Sequence, residues 1–307
     1  MKFEEAIIVR SKTRLEQLVE RFNTRAQAAF YIQRSGMDFT VYEKEHETFY
    51  NALDQLTEMV NVFRKHKILE RSFLPSYIFS QQDLIFVLGQ DGLVANTAKY
   101  VKGQPIVAVN PDPKTYDGIL LPFTIDTVPG IIQEIRKNNF KTTSVTMAKA
   151  SFSDGQSLLA FNDFFIGPKT HTSARYILEF NKKRESQSSS GILVSTGAGS
   201  TGWMSSVFNM VKGISSYYHH ADDFRQKMKW DCHSLMFAVR EPFQSKTSSV
   251  SLCFGEVTEK NPLVIESLMP ENGIVFSDGI EADAIRFNSG TKVSIGIADE
   301  KANLVMK

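Results

Sequence analysis

Leu84-Ile-Phe-Val-Leu-Gly-Gln-Asp-Gly-Leu-Val-Ala-Asn-Thr-Ala-Lys-Tyr100 is an apolar run that breaks at Gly89 and resumes with helical spacing. Residues 85–89 suit a buried parallel strand, and Val94, Ala95, Ala98 and Val101 fall on one helix face. Between them, Gly89 and Gly92 can take positive φ or admit a phosphate to main-chain N–H groups, which a helix N-terminus also favours. Asp91 is the one strong base at this turn. Two readings are open: a phosphate turn with Asp91 as its base, or a tight turn in which Asp91 caps the helix.

Downstream, Gln104-Pro-Ile-Val-Ala-Val109 reads as a second parallel strand, which completes a βαβ unit. Its carboxyl end carries Asn110-Pro-Asp-Pro, so Asp91 and Asn110 are expected to face one crevice, with a rigid surface turn as the alternative for Asn110. Upstream, residues 6–9 form a short strand candidate, and Thr13-Arg-Leu-Glu16 is a capping box opening a helix. The connection Arg10-Ser-Lys-Thr13 has no glycine, so it cannot bring backbone against pyrophosphate as a dinucleotide fold's first turn does. Helical character is expected to persist to residue 36 and to resume over 42–67. The mixed charges between Arg10 and Lys67 read as solvated helix faces.

From about residue 141 the texture changes. Short β-rich runs at 144–150, 158–166, 174–180, 192–195, 235–239, 249–254, 263–267, 274–277 and 293–297 alternate with turn residues. The polar stretch 181–190 reads as a mobile hairpin connection. The expected fold is an α/β N-terminal domain with a parallel sheet, residues 1–140, then a mainly antiparallel β domain, residues 141–307.

The chain has 307 residues, with Lys+Arg 35 against Asp+Glu 34, a balance that argues against a nucleic-acid or membrane-surface binder. Cys232 and Cys253 are too few for a disulfide framework, and the N-terminus has no signal-peptide core, so a cytoplasmic location is expected. His219-His220 do not converge on one helix face, and no metal site is expected.

Two stretches of the second half carry chemistry. In Leu159-Ala-Phe-Asn-Asp-Phe-Phe-Ile166, Asn162 and Asp163 interrupt an apolar run, where burial is costly unless the pair has partners. Hydrogen bonds to a base and a ribose are one use of them; an Asx turn is the other. Gly191-Ile-Leu-Val-Ser-Thr-Gly-Ala-Gly-Ser-Thr-Gly-Trp203 is a strand entering a glycine and hydroxyl loop. It matches G-x-G-x-x-G at Gly197, Gly199 and Gly202, but no second strand ending in an acid follows. A phosphate or ribose loop of another kind fits better, with hydroxyls from Thr196, Ser200 and Thr201.

Taken together, these stretches resemble the NAD kinase family, in particular its divergent mitochondrial-type branch. The family's Gly-Gly-Asp-Gly-Thr motif corresponds to Gly89-Gln-Asp-Gly-Leu93, its Asn-Glu or Asn-Asp motif to Asn162-Asp163, its Ser-Thr-x-x-Gly-Ser-Thr-Ala-Tyr loop to Ser195 through Trp203, and its Ser-x-Asp-Gly turn to Ser277-Asp-Gly279. The resemblance implies an NAD(H) kinase that moves the γ-phosphate of ATP, with Mg²⁺, onto the 2′-hydroxyl of the adenosine ribose of NAD or NADH. It implies Asp91 as the catalytic base. Nucleotide contacts would come from Gly89, Gln90, Gly92, Asn110, Asn162, Asp163, Thr196, Gly199, Ser200, Thr201 and Trp203. Gln90 stands where the family has glycine, and a positive φ there would strain it; Leu93 replaces a threonine. These departures keep open a non-catalytic NAD(P)(H) or adenine-nucleotide binding protein, and, further off, a lipid kinase. The expected partners are small-molecule nucleotides in a homodimer or higher homo-oligomer, without nucleic acid or membrane.

Overall fold

The structure, a computed structural model, describes residues 3–218 and 227–307; His219-His220 lie outside the described residues. The chain forms two units, residues 1–143 with 303–307, and residues 144–302.

The first unit contains β1 (Glu5–Arg10), α1 (Arg14–Phe22), α2 (Arg25–Arg34), α3 (Thr40–Val60), β2 (Lys65–Glu70), β3 (Asp83–Leu88), α4 (Asp91–Ala98), β4 (Pro105–Asn110), β5 (Phe123–Thr124) and α5 (Val128–Arg136). Its strands are parallel in the order β2-β1-β3-β4, and β5 and residues Asn303 and Leu304 also pair with β4. Every residue of β3 and β4 is buried, which explains the apolar runs between Asp83 at the start of β3 and Asn110 at the end of β4.

Local chemistry sets the helix ends. The Thr13 and Glu16 capping box forms as the spacing implies. Burial works to raise the Glu16 carboxyl, but bonds from Arg10, the Thr13 backbone and Tyr50 outweigh it and hold it at about 2. The helical run expected to reach residue 36 is broken: Asn23 turns left-handed at φ 64 and Thr24 recaps the chain as α2. The helix expected over 42–67 stops at Val60, and Lys65–Glu70 is instead the edge strand β2.

The second unit contains β6 (Lys141–Phe152), β7 (Ser157–Ala160), β8 (Asp163–Pro168), β9 (Ala174–Phe180), β10 (Lys183–Ser189), β11 (Ile192–Ser195), α6 (Trp203–Tyr217), β12 (Leu235–Val239), β13 (Phe254–Val257), β14 (Leu263–Ser267), β15 (Gly273–Ser277), β16 (Ile280–Arg286) and β17 (Lys292–Met306). Antiparallel pairing gives the orders β10-β9-β14-β17 and β13-β12-β11-β8-β15-β16. Phe164, Ile166, Val194 and Phe237 of one sheet share a core with Tyr176, Leu178, Ile265 and Ile295 of the other. Met204 and Phe208 of α6 cover the outer face of β11 and β12 through Leu193 and Met236. The stretch 181–190, expected as a mobile connection, is largely strand β10. The run 158–166 is two strands, because the chain breaks at Phe161 and Asn162.

Candidate functional site

In the first unit, the turn after β3 places Gly89, Gln90 and Gly92 in the wall of a cavity of about 350 Å³. Gln90 is the N-cap of α4 at φ −101 and ψ 167, ordinary extended backbone, so the strain expected of a side chain at this glycine position is absent. No side chain caps this helix, and its first N–H groups carry the partial positive charge of a helix N-terminus.

Asp91, the first residue of α4, is partly buried and does not line that cavity. Its Oδ2 accepts from the Ile119 N–H at 3.1 Å and its Oδ1 from the Leu120 N–H at 3.0 Å. Each oxygen keeps a further lone pair, so the two bonds orient the carboxylate without exhausting it. Asn110 is buried and committed to its own loop: its amide donates to Tyr116 O at 2.9 Å, and its Oδ1 accepts from the Asp112 N–H at 2.9 Å. This is the turn-forming alternative; the Asn110 side chain keeps one N–H and one lone pair beyond these two bonds.

In the second unit, the break between β7 and β8 is held by a residue more than a hundred positions away. The Asp278 carboxylate accepts from the backbone N–H groups of Phe161 at 3.1 Å, Asn162 at 2.6 Å and Asp163 at 3.3 Å. The Asp278 N–H in turn donates to Asp163 O at 3.0 Å. Asp163 is only 7% exposed and its carboxyl finds no hydrogen-bond partner among the described residues. Burial first, and the neighbouring Asp278 charge second, push it up to about 7. The Asn162 side-chain amide is likewise unbonded among the described residues. A buried acid without a donor beside an unpaired amide keeps its hydrogen-bonding capacity unused within the chain. Sequence reading noticed the Ser277-Asp-Gly279 turn but could not see that Asp278 clamps Asn162 and Asp163.

The glycine and hydroxyl loop turns much of its chemistry inward. The Thr196 hydroxyl donates to Phe161 O at 2.6 Å and accepts from the Gly199 N–H at 3.2 Å. Ser200 donates to Gly197 O at 2.8 Å. Thr196 and Ser200, expected to present hydroxyls to a ligand, are buried and bonded within the loop, whereas Thr201 alone of the three is exposed. Gly199 is required by crowding, because a Cβ there would sit 2.1 Å from Asn162 O. The loop thereby packs directly on the Asn162 turn. Trp203, opening α6, stacks on Phe165 with ring centroids 5.7 Å apart and planes 9° from parallel, and the Arg240 guanidinium lies 5.4 Å from its centroid.

The first unit thus carries a Gly-x-Asp-Gly turn after a parallel strand, and the second a clamped Asn-Asp turn between antiparallel strands. No family model matches the chain. It is similar to the yeast NADH kinase complexed with NADH, with a TM-score of 0.62 at 13% identity, covering 100% of this chain and 84% of that one. It is also similar to an NAD kinase from Archaeoglobus fulgidus in complex with ATP, with a TM-score of 0.56 at 14% identity over 98% of this chain and 92% of the other. In sequence it is 22% identical over 153 residues to the NAD kinase of Saccharolobus islandicus, covering 50% of this chain and 59% of the relative. The match to the NAD kinase of Saccharolobus solfataricus is 24% over 127 residues, 41% of this chain and 49% of that protein. The chain thus spans about half the length of the curated relatives it matches. Its fold is that of the NAD kinases. Among the described residues, no helix is long and apolar enough to cross a membrane.

Proposed function

We propose that the protein is an ATP-dependent NAD(H) kinase. The observation that carries this reading is the Asn162-Asp163 turn: a buried carboxyl with no partner, an unbonded amide, and a clamp from Asp278 that fixes both. A carboxyl held at about 7 both donates and accepts near neutrality, which suits ribose hydroxyls, while the amide suits a base edge. The similar yeast protein binds NADH and the similar archaeal one ATP, which supports nucleotides as the ligands here.

In the reaction, the 2′-hydroxyl oxygen of the acceptor's adenosine ribose bonds to the γ-phosphorus as the bond to the β–γ bridging oxygen breaks. ADP leaves, and the hydroxyl proton passes to the Asp91 carboxylate, which Ile119 and Leu120 hold in orientation. Such transfer asks a protein mainly for positioning and charge neutralisation. In this reading Mg²⁺ arrives on the triphosphate. Bound there, the ion would neutralise charge on the transferring phosphoryl group.

The test is incubation of purified protein with NAD or NADH, ATP and Mg²⁺, with NADP(H) followed by a coupled dehydrogenase. NAD binding in calorimetry without any product would replace the kinase with a nucleotide-binding protein of the same fold.

A further inference from the structure

The Arg240-Glu241-Pro242 turn after β12 takes no part in the kinase reading. The Arg240 side chain is 29% exposed, and among the described residues its guanidinium makes no hydrogen bond. It has a 3.8 Å contact with Glu241 and the rings of Phe165 and Trp203 beside it, so its five donors stay unspent in a half-covered place. Such a donor set is costly to cover unless water or an anion takes it up.

Arg240 lines a cavity of about 480 Å³, within the range of small-molecule sites. Its walls are three chain connections of the second unit. Lys169, Thr170 and His171 follow β8, Ser188 and Ser190 lie at the link from β10 to β11, and Phe243 follows Arg240 beyond β12. Backbone bonds tie the last two walls together. The Ser190 N–H donates to Arg240 O and the Arg240 N–H to Gly191 O, both at 2.9 Å, and the Phe243 N–H donates to Ser188 O at 2.8 Å. Gly191, at φ 114, lets this link press on Phe165, since a Cβ there would stand 2.7 Å from the ring. Glu241 holds a left-handed φ of 43, a strained conformation for a residue with a Cβ, and so turns the chain sharply after Arg240. The Lys169 and His171 side chains have no hydrogen bond or ion pair among the described residues. Two fixed cations and an imidazole thus share the cavity with one carboxylate, Glu241, and with several hydroxyls.

We propose that this cavity is a second ligand site, which takes the phosphate of a small phosphate monoester. Arg240 offers a planar fork that suits two phosphate oxygens, Lys169 adds a point charge, and the Thr170 and Ser190 hydroxyls donate to the remaining lone pairs. The site stands apart from the Asn162-Asp163 turn. Asp163 and Pro168 begin and end β8, and at a rise of about 3.3 Å per residue roughly 17 Å separates them. It does not depend on the kinase reading.

Titration calorimetry on the full chain, with phenyl phosphate as the probe and with NAD absent or present at millimolar concentration, tests the site without need of turnover. Binding should be the same in both conditions. Arg240→Gln and Lys169→Gln should each weaken it about tenfold, the worth of one charged hydrogen bond. Arg240→Gln also removes a cation from the Trp203 face, so the exposed Lys169, whose side chain has no partner to lose, gives the cleaner measurement. Ser190→Trp, at an exposed position of the wall, should abolish binding by filling the cavity, and Lys260→Gln, outside it, should change nothing. Wild-type protein that fails to bind phenyl phosphate at millimolar concentration overturns the site, as do folded Lys169→Gln and Ser190→Trp with unaltered affinity. Competition by NAD overturns it as a separate site, because the cavity would then belong to the nucleotide.

Discussion

The two glycine-bearing turns, one in each unit, look alike in sequence and differ in physics. At Gly92 there is open space and a helix N-terminus without a side-chain cap. At Gly197 and Gly199 a Cβ would stand 1.9 Å from Lys229 O and 2.1 Å from Asn162 O, and the nearby hydroxyls of Thr196 and Ser200 are already bonded inside the loop. In the first turn Gly92 leaves room for something else, while a Cβ at Gly89 would meet only the Leu93 side chain, at 2.9 Å. The second spends its glycines on packing backbone against backbone, so that it holds the Asn162 turn instead of touching a ligand over its whole length.

The contrast can be broken at several points. Its largest consequence is for folding: Gly199→Ala should cost about 3 kcal/mol or more or prevent folding, since backbone cannot yield 1 Å without disrupting the strands it joins. Gly92→Ala, within α4, should be stable or gain roughly 0.5 kcal/mol from helix propensity. Thermal denaturation of the pair decides it, and equal losses would dissolve the distinction.

Next in size is the chemistry assigned to the first turn. Asp91→Asn should keep nucleotide binding and lower turnover about 10²- to 10⁴-fold, as expected for loss of a general base. Its amide oxygen can still accept one of the two N–H groups, so stability should fall by only about 1 to 2 kcal/mol. Wild-type turnover in a folded Asp91→Asn protein removes the carboxylate from the reaction.

A third effect belongs to the second unit. Asp163 keeps its proton in the folded protein up to about 7, whereas the unfolded chain releases it at an ordinary carboxyl value near about 4. The folded state therefore binds more protons between these values, and Asp163 lowers stability progressively as pH rises through that window. Asp163→Asn should match wild type at low pH and exceed it by roughly 1 to 3 kcal/mol at pH 8, with weakened NAD binding. Denaturant midpoints across pH measure this, and a pH-independent difference would refute the buried-acid account.

The smallest effect is at Gln90. Because its backbone is already extended at φ −101, Gln90→Gly relieves no strain and should change stability by less than about 1 kcal/mol, with no gain in rate. A large rate gain would mean that the side chain, and not the backbone, obstructs the phosphate path.

Much of the fold was legible because its central strands are. β3, β4, β9, β11 and β12 carry the apolar signal that burial demands, and each was read within a residue or two. Besides the two-residue β5, the strands missed or displaced include β2, β10, β13 and β16, which end the two strand orders. Lys65-His66-Lys67 in β2 and Lys183-Arg184-Glu185 in β10 are charged, as edges that must not recruit further strands often are, and such composition mimics a helix face or a loop. The site divides similarly. Asn162 and Asp163 stood out as polar residues in an apolar run. Lys12, Arg14 and Arg71 did not, because only the strand order brings the ends of β1, β2 and β3 to one cavity; the charges between Arg10 and Lys67 read as solvated.

The last strand also governs when the first unit can be finished. Asn303 and Leu304 of β17 pair with Pro105 and Ile106 of β4, Asn303 donates to Gly103 O at 2.9 Å, and Val305 is fully buried in the same core as β3 and β4. A ribosome must therefore synthesise the whole second unit before the central strand of the first acquires its remaining neighbour. Until then the Pro105 and Ile106 end of β4 has β3 on one side alone, β5 pairing only Val109 and Asn110, and closing it requires a loop of nearly two hundred residues. The first unit is begun first in synthesis and completed last.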